Sequence, residues 1–243
     1  MAGDAVPFRR IEVAPQRLSG WIGAFADRHG AVSAESDGAT ATFRAADGAA
    51  AECQIPFPPI APTSTDASSV PTSTDPSSVP ASDAVRLAQQ IAAHAMTDRI
   101  VAVLLVRLGG YAAGVFTGAD PTLTASKVGS RLVHGRSAAG GTSQQRFARR
   151  RENQAHQALA AAADTAAAVF GPYADRLDAV VLGGDRRGIA GLRNDVRLAP
   201  YFALAVDTFL TVPDPRLAVL KEAPRRYRAI RIKLTEPASS TPI

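Results

Sequence analysis

The run Arg99-Ile-Val-Ala-Val-Leu-Leu-Val-Arg107 decides the fold of this chain of 243 residues. It places an unbroken series of apolar residues between two arginines. Such a run predicts a β-strand that is buried on both faces, as the inner strands of α/β sheets are. The run is far too short to cross a bilayer, which takes about 20 apolar residues in a helix.

The segments on either side extend this strand into a sheet. Helices are predicted at residues 84–96, 144–170 and 213–223, and strands at residues 110–117, 122–128, 178–182 and 227–234, with residues 131–135 as a candidate fourth strand of the first group. Antiparallel strands come first, and helices that alternate with strands follow. This order predicts a mixed α/β (α+β) fold, in which helices pack on a mixed β-sheet.

The first 61 residues predict a separate small module. Leu18, Trp21, Ile22 and Phe25 have helical spacing within residues 15–28. Strands are expected at residues 31–34, 39–44 and 50–55, because Asp-Gly pairs lie between these alternating segments and are a strong hairpin signal. A small N-terminal module of one helix and a β-meander is therefore expected.

A repeat separates this module from the rest of the chain. Pro62-Thr-Ser-Thr-Asp-Ala-Ser-Ser-Val70 recurs almost unchanged as Pro71-Thr-Ser-Thr-Asp-Pro-Ser-Ser-Val79. Such sequence buries too little apolar surface to offset chain entropy, so it predicts a disordered linker. The expected organisation is a module at residues 1–61, a linker at 62–82, a main domain at 83–236 and a disordered tail at 237–243.

Composition excludes several classes of protein. The chain has one cysteine, Cys53, so it has no internal disulfide framework and no multi-thiolate metal site. Cys53, His29 and His94 are expected to be surface or partly buried residues, and no metal or organic cofactor is expected. The first ten residues contain no apolar signal region, so a cytoplasmic protein without a membrane association is expected.

Positive charge is concentrated between Pro121 and Arg151. This stretch contains no Asp or Glu, while the whole chain has a net charge of +5. Its basic residues are Lys127, Arg131, Arg136, Arg146, Arg149, Arg150 and Arg151. Cations in the first turns of the long helix oppose the helix dipole, and an RNA backbone over the helix start would relieve that cost. A solvated basic face is the alternative interpretation.

A glycine-rich segment leads into this helix. Gly140-Gly141 lets a ligand approach the backbone closely, and Ser143 is a good N-cap. The segment is not a Walker loop, because no Gly-Lys-Ser/Thr follows, and it is not a dinucleotide fingerprint. Gln144 carries an uncharged amide that cannot act as an ordinary general base, but it can orient a water molecule or donate to a developing oxyanion. The segment therefore suits positioning catalysis on a reactive ester.

The sequence from Gly129 to Asn153 resembles a known family. Gly129-Ser-Arg-Leu-Val-His-Gly-Arg136 and Ala139-Gly-Gly-Thr-Ser-Gln-Gln-Arg-Phe-Ala-Arg-Arg-Arg151 are similar to the actinobacterial branch of the Vms-like release-factor domain, which is related to the catalytic domain of eukaryotic class I release factors. The resemblance covers roughly residues 99–234 and implies a release-factor catalytic-domain-like fold. In that family a Gly-x-x-Gln loop enters the peptidyl-transferase centre and promotes hydrolysis of the ester between nascent chain and tRNA.

The resemblance also implies roles for individual residues. Gly141-Thr142-Ser143-Gln144 matches Gly-x-x-Gln, so Gln144 is the catalytic candidate, together with Gly140, Gly141, Thr142 and Ser143 of its loop. Gln145 competes with it, because this sequence departs from the Gly-Gly-Gln of release factors. The implied partners are the rRNA of the large ribosomal subunit and peptidyl-tRNA, bound by the seven basic residues, and the protein is expected to be a monomer off the ribosome.

These inferences favour a ribosome-rescue peptidyl-tRNA hydrolase. One alternative is a nuclease that cuts the 3′ end of the tRNA. The other is a non-catalytic protein that binds RNA or the ribosome through the same basic residues.

Overall fold

The structure, a computed structural model, describes residues 8–60, 83–107, 109–131 and 143–237, and only the backbone of residues 143–151. Its strands are β1 Phe8–Val13, β2 Val32–Ser36, β3 Thr40–Ala45, β4 Ala50–Gln54, β5 Val101–Arg107, β6 Gly110–Thr117, β7 Thr122–Ser130, β8 Ala179–Gly184, β9 Ala205–Leu210 and β10 Ile230–Thr235. Its α-helices are α1 Leu18–His29, α2 Asp83–Met96, α3 Ser143–Phe170, α4 Arg186–Leu192, α5 Ala199–Ala203, α6 Leu217–Lys221 and α7 Ala223–Tyr227.

Some of the predicted segments lie outside the described residues. They are the linker at residues 62–82, residues 132–135 of the candidate fourth strand, and residues 238–243 of the predicted tail. The remaining predicted helices and strands can be compared with the structure directly.

The chain forms two compact units, and the second is inserted into the first. The first unit consists of residues 1–97 and 228–243, and the second consists of residues 98–227. These units differ from the organisation expected from the sequence, because α2 and β10 were expected in the main domain and instead belong to the first unit. The physical reason is pairing over a long sequence distance, since β10 lies between β1 and β4 and bonds to both.

The first unit is an antiparallel sheet in the order β1-β10-β4-β3-β2, with α1 and α2 contributing to its core. The helix and hairpins predicted for the N-terminal module are confirmed, as β2, β3 and β4 pair in sequence order. Cys53 was expected to be partly buried or at the surface, but it is fully buried within this core. Burial raises the pKa of its thiol to about 12, so the sulfur remains a protonated thiol at neutral pH.

The second unit is a mixed sheet in the order β7-β6-β5-β8-β9. Its central strand, β5, pairs antiparallel with β6 and parallel with β8, and its first six residues are buried. The prediction of a strand buried on both faces is therefore confirmed, as is a mixed α/β fold.

Helices cover both faces of this sheet. On one face, Ala162, Ala166 and Phe170 of α3 join the core formed by alternate residues of β5 and β6. On the opposite face, Leu220 of α6 packs where Gly114 of β6 has no side chain. β5 is thus buried on both faces, and its apolar run is suited to that environment.

Three differences from the predicted elements have local causes. Residues 213–223 were predicted as one helix, but α6 begins only at Leu217, because Arg216 has an extended backbone with φ −133° and ψ 165°. The last strand was predicted from Tyr227, whereas that residue ends α7 and β10 begins at Ile230. The strands β1 and β9 were not predicted at all, and both are half-exposed edge strands with little apolar periodicity.

The turn from β8 into α4 requires glycine. Gly184 has a φ of +99°, and a Cβ on this residue would collide with the carbonyl oxygen of Val106 in β5. Asp185 then caps α4, because its side chain accepts a hydrogen bond of 3.1 Å from the Arg187 backbone N–H. The sheet and the following helix therefore depend on a residue without a side chain at position 184.

We expect Gly184→Ala to lower the free energy of unfolding by about 2 kcal/mol or more, since strain at a positive φ adds to the collision with β5. Urea titration followed by circular dichroism measures the effect. Gly171→Ala is the matched control, because a Cβ at Gly171 meets no atom within 4 Å. Equal unfolding midpoints for the two variants would contradict this account of the turn.

Candidate functional site

The candidate site begins where β7, an edge strand of the second sheet, ends. The backbone N–H of Arg131 donates to the carbonyl oxygen of Gly109 at 2.9 Å, which ties the chain to the turn between β5 and β6. The next residues, 132–142, lie outside the described part of the chain. The predicted site residues Arg136, Gly140, Gly141 and Thr142 are among them.

An aromatic ring packed on a glycine holds the end of β7. Tyr111 of β6 lies opposite Gly129 of β7 and is only 8% exposed. A Cβ on Gly129 would lie 2.5 Å from the Tyr111 hydroxyl oxygen and 2.6 Å from Cζ, so the ring fills the space that a side chain would need. Aromatic residues that cover a glycine across two strands pin strand register in this way. The chain therefore leaves the sheet toward residues 132–142 from a fixed position.

Lys127 and Arg131 are the two predicted RNA-binding residues whose side chains the structure describes. Both are exposed, and neither forms a salt bridge with any described residue. Both are thus available to an anionic ligand. Lys127 has a structural role as well, because a charged residue on an edge strand hinders pairing with the strands of another molecule.

Helix α3 is long, with 28 residues. Among its residues with described side chains, Ala158 is the first that is buried, and residues 152–157 are exposed or half-buried. At a rise of 1.5 Å per residue, the helix start at Ser143 lies about 22 Å along the axis from Ala158. The predicted residues Ser143 and Gln144, and Gln145 beside them, therefore lie far along the helix from Ala158.

The helical backbone also sets the relation between the predicted arginines. Arg146, Arg149 and Arg150 lie three and four positions apart, so they are placed on one face in the first turns of α3. Arg151 follows on a neighbouring face. The first turn of α3 contains no acidic residue, so nothing within it compensates for this concentration of positive charge.

The packed half of α3 is held by ionic contacts of Arg197. Its guanidinium donates to Asp164 of α3 at 2.9 Å and to Asp195 at 2.7 Å. The hydrogen bond from the Arg197 side chain lowers the pKa of Asp195, so this carboxyl group stays ionised and the contact persists well below neutral pH. Arg197 and Asp164 are at least half exposed, and solvent screens their charges, so the contribution of these contacts to stability is modest.

A second basic group lies at the same edge of the sheet, in a segment whose sequence predicts an ordinary strand-to-helix turn with an RNA contact as the alternative. Arg186 and Arg187 follow β8 directly, and β8 runs parallel to β5. The Arg186 guanidinium lies 4.3 Å from the centre of the Phe209 ring, a cation–π contact that holds the side chain against β9. These arginines and the end of β7 lie on the side of the sheet where β5, β7 and β8 all end. The strand order determines this arrangement, so no local pattern in the sequence shows it.

The described residues show neither a metal-binding cluster nor a membrane-spanning helix. Among them, no group of three or more His, Cys, Asp or Glu residues is arranged to hold a metal ion. No helix in the described ranges is long and apolar enough to span a membrane.

Comparison with known proteins gives one family match. The model of a family described as Actinobacteria/chloroflexi VLRF1 release factor matches residues 99–233. No curated protein sequence matches the chain.

Similar solved structures include an archaeal translation termination factor, aRF1, with 16% identity, a TM-score of 0.40, and coverage of 51% of this chain and 33% of that protein. Another is the Vms1 mitochondrial localization core, with 11% identity, a TM-score of 0.36, and coverage of 79% and 75%. A third, described only as an archaeal protein, has 11% identity, a TM-score of 0.36, and coverage of 93% and 68%. The match therefore spans about a third of the length of the archaeal termination factor.

We expect Gly129→Ala to lower the free energy of unfolding by about 1–3 kcal/mol, because the added methyl group overpacks the Tyr111 ring. The same substitution in a Tyr111→Leu background should cost less, since the shorter side chain leaves space. A double-mutant cycle measured by urea unfolding gives the coupling between the two positions. Equal costs in both backgrounds would show that the ring does not hold the end of β7.

Proposed function

The chain belongs to the Actinobacteria/chloroflexi VLRF1 release factor family, and from this premise we propose that it is a ribosome-rescue peptidyl-tRNA hydrolase. The predicted resemblance to release-factor relatives is confirmed by this match. The observation that carries the proposal is the span of the match, residues 99–233, which includes the sheet of the second unit, the Gly-x-x-Gln segment and all of α3. Membership of a release-factor family supports a role in translation and ester hydrolysis in general.

In the proposed reaction, Gln144 positions the water that attacks the ester between the nascent chain and the tRNA. Its amide can accept a hydrogen bond from this water and donate one toward the oxyanion that develops on the carbonyl. Gly140 and Gly141 allow close approach of the backbone to the tRNA end. The ester is already reactive, so positioning and oxyanion stabilisation suffice without a strong base.

The length of α3 supports a role at a distance from the folded core. Among the described side chains of the helix, Ala158 is the first that is buried, while Gln144 lies in the first turn. In the proposed complex, the start of α3 reaches into a recessed ribosomal site without movement of the sheet. The basic residues between these points, Arg146, Arg149, Arg150 and Arg151, would follow an RNA backbone in the same site.

The proposed partners are the rRNA of the large ribosomal subunit and peptidyl-tRNA. Lys127 and Arg131 support this because both are exposed at the strand that leads to the candidate loop. Arg136 belongs to the same proposed set. We further propose that the protein works as a monomer in the cytoplasm.

The decisive experiment compares peptide release from stalled large subunits by the full chain and its Gln144→Ala variant. Loss of an oxyanion or water-positioning group should slow release by roughly a hundredfold or more. Gln145→Ala tests the neighbouring glutamine, and Gln157→Ala, the same change at an exposed position of α3, is the control. Equal release by wild type and Gln144→Ala would exclude Gln144.

The same reaction distinguishes the alternative functions. A hydrolase leaves the tRNA at full length, whereas a nuclease that cuts the 3′ end shortens it, and a gel of labelled tRNA separates these products. A non-catalytic binding protein would give neither product while still sedimenting with the subunit.

Docking through the start of α3 gives a separate prediction. We expect the double variant Arg149→Glu/Arg150→Glu to bind large subunits more weakly, and the slope of log affinity against log salt concentration to become shallower by about 1.4–1.8. Sedimentation at several salt concentrations measures both quantities. Arg176→Glu/Lys221→Glu changes the charge equally at exposed positions elsewhere in the unit and should have little effect. An unchanged slope for the α3 variant would contradict this docking.

A further inference from the structure

A cleft of about 420 Å³ opens at the edge of the second sheet where β5 and β7 end. Its lining includes Arg107, Gly110, Val128, Ser130, Asp214 and Arg216. Arg107 follows Val106, which belongs to the core beneath α3, so Arg107 lies on the opposite face, beside the segment that leads into α6. This cleft is thus separate from α3.

The side chain of Arg107 is held in place before any ligand binds. Nη1 of its guanidinium donates to the carbonyl oxygen of Val212 at 2.6 Å, which directs the half-buried side chain along the cleft and leaves other N–H groups for a ligand. Pro215, which also lines the cleft, is buried against Gly110. A Cβ added to Gly110 would lie 3.3 Å from Cδ of Pro215. Binding here would therefore need little reorganisation of the backbone.

The segment that leads into α6 brings charges to the cleft that the fold does not use. The carboxylate of Asp214 and the guanidinium of Arg216 are exposed, and neither has a hydrogen-bond or ion-pair partner among the described residues. Val128 of the edge strand also lines the cleft and is 39% exposed. The cleft thus combines two cations, one carboxylate and an accessible apolar side chain.

These groups match the parts of one nucleotide. Two guanidinium groups can bind a phosphate, the carboxylate can accept a hydrogen bond from a ribose hydroxyl, and Val128 offers an apolar contact to a base or sugar ring. The volume lies within the range of small-ligand sites, and the cleft is open at one side, so a bound nucleotide could remain part of a chain. An acidic peptide would use the arginines but would leave the carboxylate facing like charge.

We propose that this cleft binds one nucleotide of a single-stranded RNA, with the phosphate between Arg107 and Arg216 and the 2′-hydroxyl on Asp214. The inference rests on the proposed function in that an RNA is the ligand. It adds a second RNA contact on the face of the sheet opposite α3, and the charged residues of this contact lie outside the basic stretch of residues 121–151. The protein would then hold RNA from both faces of one sheet edge.

The first test measures the affinity of the full chain for a short single-stranded oligoribonucleotide by fluorescence anisotropy. Arg216→Glu should weaken binding by about tenfold or more, the effect of replacing a charge-assisted contact by repulsion. Arg176→Glu makes the same change in charge at an exposed arginine before β8, at the other edge of the sheet, and should leave the affinity nearly unchanged. Equal weakening by both variants would overturn the site, as would competition by an acidic peptide that matches competition by RNA.

The second test concerns the ribose. Asp214→Ala should reduce the preference for the RNA oligomer over a DNA oligomer of the same sequence, because only RNA has the 2′-hydroxyl. Equal tightening of RNA and DNA binding would show that Asp214 merely repels phosphate, and would overturn its assignment.

The two proposals can fail separately. Gln144→Ala should retain wild-type oligonucleotide affinity, because Gln144 lies on α3 and not in the cleft. If that variant also retains peptide release while Arg216→Glu loses RNA affinity, the proposed catalytic role fails and the nucleotide site stands. If Arg216→Glu binds RNA normally while Gln144→Ala loses release, the nucleotide site fails and the proposed function stands.

Discussion

The burial of β5 on both faces is the constraint on which the second unit depends. Residues Val101–Val106 are each 5% exposed or less. A buried backbone must have its N–H and C=O groups paired, so a strand is needed on each side, and β6 and β8 supply them. Both faces must also be shielded from water. α3 covers one face, and on the other face α6 packs beside β5, against β6.

The direction of the strands requires a helix that crosses back over the sheet, but not one as long as α3. Since β8 runs parallel to β5, the chain must return from the end of β7 to the opposite edge of the sheet before β8 can start. β7, with nine residues, covers about 30 Å, whereas α3, with 28 residues, covers about 42 Å. The additional length of α3 is not needed to cross the sheet. The start of this helix carries the glutamines and the arginines of the proposed site.

The same strand order gathers basic residues from distant parts of the sequence. Arg107 ends β5, Arg131 follows β7, and Arg186 follows β8, so all three lie at one edge. Only Arg131 belongs to the acid-free stretch between residues 121 and 151. The strand order therefore creates this basic edge, and the charge distribution along the sequence reveals only the part that contains Arg131.

The sequence by itself determined the elements whose pattern is complete within one segment. The apolar run of β5, the strand β6 and the long alanine-rich α3 were predicted close to their observed bounds, and the match near Gly129–Asn153 identified the family. Only the tertiary structure decided that β10 joins β1 and β4, that β9 completes the second sheet, and that Asp214 and Arg216 line one cleft with Arg107. Each of these depends on partners far apart in the chain, and pairing of that kind leaves no periodic signal within either segment.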